Sequence, residues 1–553
     1  MKKTWISVMC IGMAFMLGGC SVMRHDLAKT GQELAGKLAQ AAGKTAGEAG
    51  KNLAAQPDGY YEMGCAEEYE VWDAPAGYAP EWDVFIPDWN TEEYKYVAEN
   101  GWMTPAAEPF STFAADVDTA SYANVRRMLL EGKQVPADAV RIEEMINYFD
   151  YAYPAPEEGE DFKVSARIAP CPWNKDTRLL RIGLKAREEK TAEKIPSNLV
   201  FLIDVSGSMD EYNKLPLVQR AFRLLINELG EEDTVSIVTY ASSDTVVLDG
   251  ACGLEKTLIC DAVEDLCAGG GTNGSQGIIT AYELARKHFI EGGINRVLLA
   301  TDGDLNIGMT DEGSLSRLIE EQAKSGVFLS VLGFGEGNIS DVNMEALADH
   351  GNGNYGYIDN ITEARKVLLG EAGSTLVTVA KDVKLQVEFN PQKVNGYRLI
   401  GYENRTMSAE DFSDDEKDGG EIGSGHTVTA LYEIIPEGSA MELDAPQRKY
   451  GSSENAADAA SGPEWATVSI RHKQPGGDVS ALTEYVVSDE DVFDQMDDDM
   501  SWAAGVAQAG MILSESEYAG TTDIRGVRER LKSLTGNDEF REEFLYLLSR
   551  MKG

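Results

Sequence analysis

Residues 198–209 read NLVFLIDVSGSM, and the fold depends on how this stretch behaves. Leu199 to Ile203 is an unbroken apolar run, the pattern of a strand buried on both faces of a parallel sheet. The run ends in Asp204-Val205-Ser206-Gly207-Ser208, so a carboxylate and two hydroxyls leave the carboxyl end of the strand on alternate residues. Hard oxygen donors without Cys or His beside them suit Mg²⁺, Mn²⁺ or Ca²⁺ rather than zinc. The same residues also suit a turn that caps the next helix.

Two later segments favour the site over the cap. Gly269-Gly270-Gly271-Thr272-Asn273 is a glycine-rich turn that offers the Thr272 hydroxyl. Residues 296–301, RVLLAT, form a second buried-strand run, and Asp302-Gly303-Asp304 follows it. In open α/β sheets ligands sit beyond the carboxyl ends of the strands, which puts Asp204 and Asp302 at one edge. The order Asp-x-Ser-x-Ser, then Thr, then Thr-Asp-Gly resembles a von Willebrand factor A domain. The resemblance implies that Asp204, Ser206, Ser208, Thr272 and Asp302 form a metal-ion-dependent adhesion site. It implies a divalent cation, Mg²⁺ first with Mn²⁺ or Ca²⁺ as alternatives. It also implies a protein partner that supplies an Asp or Glu carboxylate.

Around this centre, strand patterns fall at 199–204, 234–240, 244–248, 296–301, 327–333 and 355–358. Helical patterns fall between most of them, at 214–229, 256–266, 275–290, 313–325, 341–349 and 361–369. The alternation predicts a doubly wound, mostly parallel, Rossmann-like sheet over residues 198–370. The short link from 234–240 to 244–248 makes one edge strand antiparallel. Segments before this domain alternate in places with period two, as at 163–168 and 179–184, and segments after it return to strand patterns, as at 383–389 and 427–435. We expect these to form one antiparallel β-sandwich with the α/β domain inserted in it; two independent β units are the alternative. The segment from Asp116 through Pro154 resembles the N-terminal module of bacterial exported or lipoprotein A-domain proteins, and the region after 370 resembles their C-terminal module. The predicted divisions are 102–197 for the N-terminal module, 198–370 for the A domain, 371–490 for the C-terminal β module and 491–553 for closing helices. Asp116 and Asp118 are weak calcium ligands, and Asp118 or Thr119 serves equally as a helix N-cap. The acidic run 489–499 suits a helix start, and residues 440–461 read as a mobile loop.

The N-terminus reads as a targeting segment. Lys2 and Lys3 precede an apolar stretch, and Leu17-Gly18-Gly19-Cys20 follows. This resembles a bacterial lipoprotein signal, residues 1–19, with lipid on Cys20. It implies an exported chain anchored to the cell-envelope membrane, the outer one where there are two. Residues 20–57 read as a tether. Residues 58–101 form an acidic aromatic segment that we expect to pack on the body in extended form. Of 553 residues 43% are hydrophobic, enough for more than one core, and the net charge of −44 argues against nucleic acid as a partner. The five cysteines beyond Cys10 and Cys20 include no Cys-x-x-Cys pair, so a zinc site is not expected. Cys252, Cys260 and Cys267 read as buried inert thiols, with one disulfide among them as the alternative.

Two glycine motifs compete for attention. Gly351-x-Gly353-x-x-Gly356 has dinucleotide-fingerprint spacing, but the fingerprint needs strand, turn, helix, and the order here is helix, turn, strand. Gly333, Gly335 and Gly337 follow a strand without a phosphate-loop Lys, and we expect them to line the metal edge. No Gly-x-Ser-x-Gly occurs, and none of the five histidines sits beside a serine in a nucleophile motif. The expected function is therefore non-enzymatic: a lipid-anchored protein that binds a protein partner through a metal. A structural envelope scaffold with a stabilising metal site is the first alternative, and a metal-dependent hydrolase the second.

Overall fold

A computed structural model of the chain describes residues 92–551, apart from 116–117, 189–194, 273, 304–311, 371–377, 416, 418, 444–461 and 478. All the described residues belong to one compact unit, Ile86–Gly553. The signal segment, Cys20, the tether, most of the aromatic segment and most of the predicted mobile loop lie outside the described residues. Residues 92–103, past the aromatics named for that segment, lie against the body. They bridge Glu93 to Ser340 and Met103 to Tyr397.

The chain enters through strand β1 (Phe110–Ala114), helices α1 (Ala120–Glu131) and α2 (Ile142–Asn147), and strands β2 (Phe162–Pro170) and β3 (Arg178–Ala186). It then builds β4 (Ser197–Asp204), α3 (Leu215–Glu228), β5 (Thr234–Tyr240), β6 (Asp244–Cys252), α4 (Lys256–Glu264), α5 (Gly274–Lys287) and β7 (Ile294–Thr301). α6 (Glu312–Ala323), β8 (Phe328–Phe334), α7 (Asp341–His350), β9 (Tyr355–Ile358) and α8 (Ile361–Arg365) complete this part. Strands β10 (Thr378–Phe389), β11 (Val394–Ile400), β12 (Thr406–Met407), β13 (Gly420–Gly423), β14 (Thr427–Pro436), β15 (Glu464–Lys473) and β16 (Ser480–Ser488) follow. Helices α9 (Asp498–Leu513), α10 (Ile524–Leu531) and α11 (Glu539–Arg550) close the chain.

The central sheet has the order β6-β5-β4-β7-β8-β9. All its pairings are parallel except β5–β6, so the antiparallel edge strand is where the short link requires it. Every residue of β4 is buried, as a strand covered by helices on both faces must be. On one face α3 packs through Leu217, Val218, Ala221, Phe222, Leu225 and Ile226, whose spacing lays one apolar stripe on the sheet. On the other face α5 packs through Ile278, Ala281, Tyr282 and Ala285.

Two antiparallel sheets, β12-β1-β10-β15-β16 and β11-β14-β3-β2, share one apolar core. Strands β1 to β3 precede the α/β domain and β10 to β16 follow it, so the domain is inserted in the sandwich as expected. The second sheet is covered on its outer face as well. Leu179, Ile400 and Leu431 join a helical core with Met145, Trp502 and Phe544. This explains why most of β3 and all of β14 but its last residue are buried. The acidic run does start helices: Asp497 accepts the Met500 N–H at 2.7 Å, and α10 and α11 are capped in the same way by Asp523 and Asp538.

Two details differ from expectation, and a third agrees with it. Thr119, not Asp118, takes the N-cap position of α1, without a side-chain cap bond; the Asp118 oxygens accept the Tyr355 N–H at 3.0 Å and pair with Arg405 at 3.3 Å, which ties the inserted domain to the sandwich. Cys252 and Cys260 are half-buried and Cys267 is exposed, so among the described residues Cys171 alone is a buried thiol; none of these four forms a disulfide. Cys252 ends β6, Cys260 lies on α4 and packs at the margin of the helix–sheet core, and Cys267 follows α4. The dinucleotide-like glycines are structural. A Cβ on Gly353 would lie 1.9 Å from the Leu329 carbonyl oxygen, because the turn passes against the β8 backbone. Gly353→Ala is therefore expected to lose about 1–3 kcal/mol in urea unfolding; an unchanged midpoint would remove the packing argument.

Candidate metal centre

The parallel register β4–β7 pairs Ile203 with Ala300, so Asp204 comes level with Thr301 and Asp302 lies one residue beyond. The chain leaves β4 toward β5 on one side and later crosses to β7 on the other. The site thus lies at a topological switch point, the crevice such sheets use for ligands. Ser206 donates its N–H to Asp204 Oδ1 at 2.8 Å, and the Thr301 hydroxyl donates to Oδ2 at 3.3 Å. The Ser206 and Ser208 hydroxyls are 3.1 Å apart. Met209, fully buried, fixes the turn that carries them.

Two backbone bonds bring in the glycine loop: Gly207 N–H to the Gly270 oxygen at 3.1 Å, and Gly269 N–H to the Val205 oxygen at 2.7 Å. Gly270 takes φ +87°, a conformation open to glycine at little cost. Thr272, half-buried, is on this loop beside the Ser206 turn. On the far side Asp302, fully buried, pairs with the Lys214 ammonium at 3.0 Å. The Asn338 side-chain oxygen accepts from the same ammonium at 3.2 Å. Gly303 takes φ +97°, and a Cβ there would sit 2.8 Å from Ser340 N, so the turn after Asp302 presses on the loop after β8.

Burial pushes the Asp204 carboxyl up to about 6, and the nearby Asp302 carboxylate adds to this; hydrogen bonds from Ser206 act the other way. An acid held this far from water beside a second carboxylate is stabilised as the anion by a cation. Among the described residues no cluster of three or more His, Cys, Asp or Glu side chains is placed to hold a metal. The predicted donor set has two carboxylates and three hydroxyls, which fits a hard cation that also keeps waters. Of the predicted residues, Asp204, Ser206, Ser208 and Asp302 reach one sheet edge, and Thr272 flanks it. Thr301, Lys214 and Asn338 were missed. Thr301 was visible as the polar end of an apolar strand; Lys214 and Asn338 carry no spacing signal. Of the three later glycines, Gly335 lies at this edge against Lys214, while the Gly337 N–H bonds Glu92 at 3.0 Å.

The fold and this edge define a von Willebrand factor type A protein. Residues 198–368 match the von Willebrand factor type A domain family, and residues 88–181 a family described as von Willebrand factor. Residues 374–553 match the family described as uncharacterized protein YfbK, C-terminal. The uncharacterized protein YfbK of Escherichia coli (strain K12) is 40% identical over 518 residues, covering 91% of this chain and 89% of that protein. The chain belongs to the YfbK family. The uncharacterized protein sll0103 of Synechocystis sp. is 32% identical over 187 residues, 34% of this chain and 43% of that protein. Among solved structures, the von Willebrand factor type A protein from Catenulispora acidiphila is 16% identical, with a TM-score of 0.39. It covers 72% of this chain and 91% of that one.

Proposed function

We propose that the chain is a lipid-anchored protein of the cell envelope that binds a protein partner through a divalent ion, Mg²⁺ first, at the β4–β7 edge. The observation that carries this reading is the convergence of Asp204, Ser206, Ser208 and Asp302 there, with the Thr272 loop bonded alongside. The serine and threonine hydroxyls supply neutral donors, and Asp204 and Asp302 supply charge, directly or through water. Bound there, Mg²⁺ offers a coordination position to an Asp or Glu carboxylate of the partner. Ser208 and Thr272 are half-buried, and glycines 269–271 are exposed, which leaves that position open to a protein surface.

The reading is a binding protein rather than an enzyme. His288, His350 and His472 are engaged by Asp249, Glu320 and Asp161, away from the edge. Attachment in this reading is through lipid on Cys20, in the outer membrane where there are two; among the described residues no helix is long and apolar enough to cross a membrane.

The test is capture from envelope extract on the full chain in detergent, with Mg²⁺ or EDTA, comparing wild type with Asp204→Ala. The expected result is a protein retained by metal-loaded wild type and lost in the other conditions. Equal capture in all conditions would move the interaction to the sandwich or the N-terminal module. Loss of stability in Asp204→Ala without loss of capture would leave the scaffold reading instead.

A further inference from the structure

We infer that Lys214 is a resident cation of the metal edge: its ammonium holds Asp302 in place and weakens the affinity with which the edge takes a divalent ion. The affinity half of this inference rests on the metal-binding reading above; the positioning half does not.

Lys214 is 3% exposed, although lysine is among the side chains least often buried without a partner. Its stem crosses Gly335, which takes φ +78°; a Cβ there would lie 2.3 Å from Lys214 Cγ. The glycine opposite therefore leaves the room that this stem occupies. Its ammonium reaches Asp302 at 3.0 Å and Asn338 at 3.2 Å, with the Glu211 carboxylate at 3.8 Å.

The charge balance follows from these contacts. Asp204 and Asp302 bring two buried negative charges to one edge, and Lys214 offsets one of them. Among the buried groups, Glu211 being 57% exposed and screened by solvent, a divalent ion arriving there meets a net charge near −1 rather than −2, and shares Asp302 with a cation that is already bonded. Two consequences follow: the edge is held assembled without any ion, and the ion binds less tightly than the two carboxylates alone would allow. Asn338 extends the contact into the loop after β8. That loop also bonds Glu92 through the Gly337 N–H.

The test uses the full chain in detergent with Mg²⁺ and Mn²⁺ as probes, by titration calorimetry and by loss of the free-Mn²⁺ electron paramagnetic signal. Lys214→Met is expected to bind either ion about tenfold or more tightly than wild type, because it removes the unit positive charge paired with Asp302 at 3.0 Å. Lys214→Gln, which keeps a hydrogen-bond donor without the charge, covers the case in which the methionine variant does not fold, and is expected to move affinity in the same direction. Affinity unchanged or weaker in a folded variant would overturn the affinity half. A double-mutant cycle of Lys214→Met with Asp302→Asn, read by unfolding in EDTA, tests the positioning half without metal. Coupling between the two is expected, and additivity would overturn it. Absence of ion binding in every chain would overturn the metal-binding reading, and the affinity half with it; the cycle would still decide the positioning half.

Discussion

Replacing Arg126 by methionine is expected to cost the fold about 3–5 kcal/mol, the loss seen when one partner of a buried ion pair is removed. Arg126 is 1% exposed on α1. Its guanidinium pairs with Asp359, with Glu363 at 2.8 Å and with Glu543 at 3.4 Å, and donates to the Tyr148 hydroxyl at 2.8 Å. These partners lie on the segment before the inserted domain, at the exit of β9, on α8 and on α11, so one side chain joins parts of the chain far apart in sequence. Without it, Asp359 and Glu363 face each other in a site closed to water. Burial already pushes the Asp359 carboxyl up, with Arg126 holding it down. Removing the arginine raises it further, so the deficit of the variant should shrink as pH falls toward the carboxylate range. Urea unfolding at pH 7 and pH 5 measures both effects. Lys133→Ala is the control, because Lys133 is 46% exposed beside Glu336 and an exposed pair contributes little. A loss below about 1 kcal/mol for Arg126→Met would show that the cluster is solvated in solution.

The parts of this molecule legible in the sequence are those with a period. The unbroken runs of β4 and β7, the stripe on α3 and the alternation of β2 and β10 each report a buried face, and together they give the insertion of one domain in another. The carboxylate and hydroxyls after β4 were legible as a site only together with Thr272 and Asp302 further on, because alone they suit a helix cap as well. What was hidden depends on partners distant in sequence. Asp118 looks like a cap when only its neighbours are visible; its partners Tyr355 and Arg405 lie more than two hundred residues on. Arg126 and Arg127 read as the polar side of a helix, yet both are buried against carboxylates of other elements. Lys214 is the same case at the metal edge. Charge pairs across domains leave no periodic trace, so the contacts that fix the inserted domain against the sandwich emerge only in three dimensions.

Asp204→Asn is expected to raise the stability of the metal-free protein at pH 7 by about 2–3 kcal/mol while abolishing its response to Mg²⁺. The carboxyl is pushed up to about 6 in the fold. Its ordinary value is near 4, so between those pH values the folded state holds more protons than the unfolded state, and the contribution of Asp204 to stability declines as pH rises through the window. Above about pH 6 the buried anion carries its full penalty in the absence of a cation. Asparagine removes the charge and keeps the geometry: its oxygen accepts the Ser206 N–H, and its amide can donate to the Thr301 hydroxyl, which turns from donor to acceptor. An ion reverses the slope in wild type, because it binds the deprotonated acid. Mg²⁺ at a hundred times its dissociation constant would then add about 2.7 kcal/mol at pH 7.5 and less at pH 5. Thermal unfolding of wild type and variant, with Mg²⁺ or EDTA at the two pH values, separates these contributions. A variant less stable than wild type in EDTA at pH 7 would mean that the carboxylate is stabilised by the protein alone. A Mg²⁺ shift that survives the substitution would move the ion away from the β4–β7 edge.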